Sequence, residues 1–195
     1  MSDVMEAMDM FPEAVFIDAG SNIGVYTLAV AAMLRSVVAV DMMQDNLAFI
    51  RESLTRRNLQ GFVRLFNNAL SDTKEVLWIP LDDFENKFNP GGRTLSKDKV
   101  TDSAEQVAAV LLSDVLDYAV ASTFILKLDI QGFDCKVHVV FKHFINHTDL
   151  FQVLKSNDVF GQFYIPFIFI EWMSTDKSCI DLVPHLLYLG YTPYW

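Results

Sequence analysis

The chain has 195 residues, 52% of them hydrophobic and 21% charged, which suits one domain with a sizeable core and excludes a disordered segment. Lys and Arg number 15 against 25 Asp and Glu, a net charge of −10 that repels phosphate backbones and argues against a nucleic-acid partner. Cys135 and Cys179 form neither a disulfide framework nor a zinc spacing, so a reducing, cytoplasmic setting is the expectation.

Met1 to Met10 carries three acids and no Lys or Arg, unlike the basic start of a signal peptide, and residues 1–14 read as a lead-in. The run from Phe163 to Ile170 contains Pro166 and falls far short of the ~18 apolar residues of a membrane span. Val15-Phe16-Ile17 reads as a buried strand stopping at Asp18-Ala19-Gly20. Ile23 to Leu34 reads as a helix and Val37 to Val40 as a second strand ending at Asp41. Asp45 is placed to cap the next helix, whose apolar residues Leu47, Ile50 and Leu54 share a face; it stops near Asn58, with Gly61 as its exit.

Phe62 to Phe66 is the third strand and Val76 to Ile79 a short fourth. Residues 81–107 hold a loop or insertion rich in Asp, Asn, Gly and mixed charge, placed to shape an acceptor site. Ser113 to Tyr118 reads as a helix capped by Ser113, and Phe124 to Leu128 as a central strand ending at Asp129. Val137 to Phe151 reads as a helix broken near Asn146, Phe167 to Ile170 as a strand ending at Glu171, and Asp181 to Leu189 as a last helix before a final strand at Tyr191 to Trp195.

Unbroken apolar strands alternating with helices predict an α/β, doubly wound, mainly parallel sheet over residues 15–195. Ligands bind beyond the carboxyl ends of such strands. Asp18, Asp41, Asn67-Asn68, Asp129 and Glu171 should therefore share one rim.

The first loop, Asp18-Ala19-Gly20-Ser21-Asn22-Ile23-Gly24, spaces its glycines G-x-x-x-G, not in the G-x-G-x-x-G pattern that cradles a pyrophosphate. A carboxylate two residues before the first glycine opposes phosphate and favours an ammonium or sulfonium. S-adenosylmethionine carries both and no phosphate. Asp41 is placed to accept both ribose hydroxyls, though an acid there also serves dinucleotides.

The segment from Phe16 to Thr27 resembles the first motif of class I S-adenosylmethionine-dependent methyltransferases, and more narrowly the FkbM-type family. Further matches follow in order: Val40-Asp41, Asn58-Leu59, Asn68-Ala69-Leu70-Ser71-Asp72, Gly91-Gly92-Arg93-Thr94-Leu95, Val110 to Asp117, Lys127 to Gly132 and Ile170-Glu171. The resemblance implies a Rossmann-like methyltransferase fold, truncated at both ends relative to that class, so that the chain is minimal, a fragment, or completed by a partner in an oligomer. It implies that Asp18, Gly20, Ser21, Asn22, Gly24 and Tyr26 line the methionine and loop side of the cofactor. It places the ribose at Asp41, with Met42 beside it, and the adenine at Asn68 and Ala69. It sets Asp129 facing the transferred methyl; as the base for a hydroxyl acceptor Asp129 is the candidate, helped by Glu171 or by a bound divalent ion. The family methylates oxygen, often on sugars or natural products, which implies a small-molecule or glycan acceptor.

Gln131 stands where the family carries Glu. Asp129, Asp134 and Glu171 would suit a hard cation, but their spacing is not diagnostic and no metal site is assigned. The expected activity is O-methyl transfer by in-line displacement. The competing readings are a cofactor-binding pseudoenzyme or interaction protein and, disfavoured by the glycine spacing and Asp18, a nicotinamide-dependent oxidoreductase.

Overall fold

The structure, a computed structural model, describes residues 1–71, 73–81, 95–130, 162–170, 187–188 and 191. Gln131, Glu171, the core of the 81–107 insertion and the helix expected over Val137–Phe151 lie outside the described residues, as do most of the final strand and, apart from the helical Leu187 and Tyr188, the helix expected over Asp181–Leu189.

Five parallel strands form the main sheet in the order β3-β2-β1-β7-β8: β1 (Val15–Ala19), β2 (Val37–Asp41), β3 (Val63–Asn67), β7 (Thr123–Leu128) and β8 (Tyr164–Ile170). The chain winds outward one way through β2 and β3, then returns to the other side of β1 at β7. That reversal makes the fold Rossmann-like and opens a crevice between the ends of β1 and β7. A smaller sheet, in the order β4-β6-β5, is built from β4 (Ala69–Leu70), β5 (Glu75–Ile79) and β6 (Glu105–Val110). β6 begins inside the segment expected to be an insertion, and Ser96 pairs with Trp78 of β5, so part of that segment is sheet.

The unbroken apolar strands are explained by burial on both faces. β1, β2 and β7 are buried at every position. Ile17, Val38 and Leu126 pack on one face with Leu112, Val115 and Leu116 of α4 (Leu112–Ala119). Phe16, Val37 and Ile125 alternate onto the opposite face. There they meet Val4, Ala7 and Met8 of α1 (Ser2–Met10) and Val30 of α2 (Val25–Ala32). The lead-in is thus a helix whose i, i+3, i+4 stripe belongs to the core. Full burial of Phe16 or Phe124 contributes roughly 2–3 kcal/mol each.

α3 (Gln44–Arg56) inserts Leu47, Ile50 and Leu54 against Ala31 of α2. Its cap position is Met43, not Asp45, because the carboxylate that reaches its first turn comes from β2: Asp41 accepts the Met43 amide. Its exit is Asn58, at φ 55°, with the Leu59 amide donating to the Leu54 carbonyl; Gly61 lies in a following 3-10 turn and takes no part. α4 likewise starts one residue before Ser113, and Asp114 accepts the Leu111 amide at 3.2 Å. Among the described residues no helix is long and apolar enough to cross a membrane.

Candidate functional site

A cleft of about 590 Å3, counting the space open to solvent at its mouth, lies over the carboxyl ends of β1, β2 and β7 and against the small sheet. Gly20 and Asn22 supply its first side, Asp41, Met42, Met43 and Asn46 its second, and Asn68, Ala69, Leu70 and Leu95 its third. Val40 forms part of its base and Asp129 and Ile130 its far wall. Among the described residues the charged members of this lining are Asp41 and Asp129, with no cation beside them.

The first loop is shaped by close approach. Gly20 has φ +75°, and a Cβ there would lie 1.7 Å from the Asp129 carbonyl oxygen. Gly24 has φ +84°, and its Cβ would lie 2.5 Å from Ile50 Cγ1. The G-x-x-x-G spacing therefore lets the loop lie against β7 at one end and α2 against α3 at the other. Four of the loop amides, those of Gly20, Ser21, Asn22 and Gly24, are spent internally. Gly20 and Ser21 donate to the Val40 carbonyl, at 2.9 and 3.1 Å, and Gly24 donates to the Ser21 carbonyl at 2.8 Å. Asn22, itself at φ 48°, donates its amide to Asp41 Oδ2 at 2.7 Å.

Asp41 ends β2 on the face toward α2 and α3. Besides Asn22 it takes the Met43 amide at 2.8 Å and Asn46 Nδ2 at 3.1 Å, both on Oδ1. Burial pushes its carboxyl above the usual range; the Met43 and Asn22 amides and the Asn46 amide group work against that rise, and the negative charge of Asp18 adds to it. Asn67 closes the turn behind it, donating Nδ2 to the Met42 carbonyl at 2.9 Å.

Asp18 sits elsewhere than its motif suggests. It is fully buried and does not line the cleft. Oδ2 accepts the Thr27 amide at 3.0 Å and the Thr27 hydroxyl at 2.6 Å, so Asp18 satisfies a donor at the start of α2. Its cationic neighbour is the protein's own Lys127, with Nζ 3.2 Å from Oδ1. The cause is register: Asp18 and Lys127 are direct partners in the β1–β7 ladder and point to the same face. Lys127 Nζ also stands 3.2 Å from Asp129 Oδ2 and 3.3 Å from the Gly20 carbonyl, with the Tyr26 ring 5.2 Å away. Burial opposes the ammonium, but Asp18 and Asp129 together outweigh it and hold the Lys127 pKa above the ordinary lysine value.

Of the residues expected at the site, Gly20, Asn22, Asp41, Met42, Asn68, Ala69 and Asp129 come together around the cleft. Asp18, Ser21, Gly24 and Tyr26 lie behind it as supports, and Glu171 falls outside the described residues. Asn68 turns its amide toward the small sheet, donating to the Ala108 carbonyl at 3.0 Å. Asp129 keeps 23% of its side chain exposed, and its Oδ1 has no hydrogen-bond partner. Asn46 and Leu95 were missed. Asn46 was recoverable as the polar residue in the first turn after Asp41; Leu95 reaches the cleft through the small sheet, which no sequence period announces. Among the described residues no group of three His, Cys, Asp or Glu side chains could hold a metal.

The solved structure of a methyltransferase FkbM from Methylobacillus flagellatus KT resembles this chain with a TM-score of 0.51 at 13% identity, a match covering 90% of this chain and 37% of that one. No family model and no curated protein matches the sequence. The likeness to the FkbM structure is one of fold, and this chain spans little more than a third of that protein's length.

Proposed function

We propose that the chain binds S-adenosylmethionine and transfers its methyl group to a hydroxyl of a small molecule or sugar. The observation that carries this reading is the charge of the cleft: carboxylates at two of its walls, no cation among its described lining residues, and the amides of Gly20, Ser21, Asn22 and Gly24 already bonded within the protein. A dinucleotide needs free amides or cations for its phosphates. A phosphate-free nucleoside bearing cationic groups needs neither, and the Rossmann-like fold shared with a methyltransferase agrees with it.

Asp41 holds the ribose in this reading. A carboxylate has about four acceptor positions, and three protein donors occupy them here, which leaves one on Oδ2 for a hydroxyl. Met42, Leu70 and Leu95 give apolar walls for the base, and Asn68 keeps its side-chain oxygen as an acceptor. When bound, S-adenosylmethionine supplies an electrophilic methyl on a cationic sulfur. The cleft would hold the acceptor oxygen against that methyl and keep water out, the methyl passing to oxygen with the electron pair left on sulfur. Asp129 takes the hydroxyl proton. A second reading, binding without transfer, is favoured by the state of Asp129: one oxygen is paired with Lys127 and the other is shielded from solvent.

Calorimetric titration with S-adenosylhomocysteine, with NAD as control, tests the site on wild type and Asp41→Ala, each checked for folding by circular dichroism. Micromolar binding of the first ligand alone, weakened at least about tenfold in the variant, is expected. A folded wild type that ignores S-adenosylhomocysteine sinks the proposal. Binding without methyl consumption across hydroxyl acceptors selects the second reading.

A further inference from the structure

We propose that Lys127 is a positioning residue that sets how strongly the cleft distinguishes a cationic nucleoside ligand from a neutral one, by holding Asp129 and cancelling part of its charge. The inference rests on the reading of the cleft as an S-adenosylmethionine site. Lys127 is 9% exposed at its side chain and absent from the cleft lining, whereas Asp129 is in that lining. The ammonium lies 3.2 Å from carboxylate oxygens of both Asp18 and Asp129, and it is tied to the first loop through the Gly20 carbonyl. Together the three side chains carry one net negative charge. Asp18 is wholly buried, so that charge reaches the cleft through Asp129.

This arrangement has a chemical consequence. Positive charge leaves sulfur as the methyl departs, so an unopposed carboxylate would hold the ground state more tightly than the transition state and slow the reaction. An acid half-neutralised from behind retains the cationic ligand without that penalty. Its Oδ1 has no protein partner and is shielded from solvent, so the carboxylate keeps the share of charge that Lys127 does not cancel. The parallel register that sets Asp18 beside Lys127, with Asp129 two residues on, builds the device from the sheet itself.

The test compares dissociation constants for S-adenosylmethionine and S-adenosylhomocysteine, which differ in the charge on sulfur. Wild type, Asp129→Asn and the double variant Lys127→Met with Asp18→Asn are titrated. A loss of scaffolding weakens both ligands alike and leaves their ratio unchanged; a role in charge selection moves it. The preference for the sulfonium ligand should fall about tenfold in Asp129→Asn and rise about tenfold in the double variant, a size between the limits for unit charges in water and at an effective dielectric of ~20. Asp129→Asn leaves the Asp18–Lys127 pair intact, so it decides the matter even where the double variant does not fold. Binding of both ligands with an unchanged ratio in Asp129→Asn overturns this inference alone. A wild type that binds neither ligand overturns the cleft reading and this inference with it.

Discussion

Two carboxylates face the same cleft and are held in opposite ways. Asp41 is surrounded by dipoles, two backbone amides and an Asn side chain, with no cation paired to it among the described residues. Asp129 shares a buried ammonium with Asp18. Burial acts against the charge of Asp41 and raises its pKa, whereas Asp18 and Asp129 together hold the Lys127 ammonium charged. The Asp41 corner therefore carries an unneutralised charge that costs the ligand-free protein stability. The Lys127 corner supports the fold whether or not a ligand is present. The comparison separates a binding group from a scaffolding group on one rim, a distinction that the residue types alone do not make.

The largest expected effect breaks the join between the two corners. Gly20→Ala puts a Cβ into the Asp129 carbonyl at a left-handed backbone position, and about 3–5 kcal/mol of stability should be lost. Chemical denaturation measures it, and a loss under about 1 kcal/mol would show that the loop does not need its approach to β7.

Next comes Lys127→Met, which leaves two carboxylates facing each other. It should cost about 3 kcal/mol by the same measurement, most of it recovered when Asp18→Asn is added. No recovery in the double variant contradicts the charge-sharing account. The sign with pH follows from the raised pKa of Lys127. Its contribution is fully present below the unfolded lysine value of ~10.4 and is lost as pH rises through the higher folded value.

Asp41→Asn sharpens the contrast from the other corner. Ligand affinity should fall about tenfold or more, with a smaller change in stability than in Lys127→Met. Because burial raises the Asp41 pKa, ionising it weakens the fold as pH rises from the unfolded value of ~3.9 through the folded one. The stability difference between wild type and Asp41→Asn should thus favour wild type more at low pH than at neutrality. The opposite slope in paired pH-dependent melts would mean that the bonds from Asn22, Met43 and Asn46 outweigh burial.

The smallest effect is a reference for both. Arg56 and Glu52 form an ion pair at 2.8 Å on the exposed face of α3, with side chains 76% and 62% exposed. Arg56→Ala should shift stability by under about 0.5 kcal/mol, since water and salt screen such a pair. A loss comparable to that of Lys127→Met would undo the claim that burial makes the difference between the two pairs.

Much of this was legible in the sequence. Strands doubly buried between helix layers must be apolar throughout, so β1, β2 and β7 could be read from their runs, and the polar residue closing each run marked the rim. Asp41, Asn68 and Asp129 were placed at the cleft for that reason. Asp45, Ser113 and Gly61 were assigned to caps and exits by residue type. Asp41 and Asn58 instead hold the start and end of α3, and α4 begins one residue before Ser113. Residues 1–14 read as a lead-in from their charge pattern alone; the stripe of Val4, Ala7 and Met8 makes α1 a helix that packs on Phe16 and Ile125.

By itself, then, the sequence determined β1, α2, β2, α3, β3, β5, α4, β7 and β8, the positions of Asp41 and Asp129 at their strand ends, and the G-x-x-x-G loop, since these depend on local pattern and on where a Cβ is missing; α1, β4 and β6 it did not announce. The tertiary structure alone decided which acid serves what. Asp18 and Lys127 lie 109 positions apart in the chain, and only the parallel register of β1 and β7 makes them neighbours. That register turned the expected cation-binding acid into a buried partner of a lysine and left Asp41 and Asp129 to face the cleft.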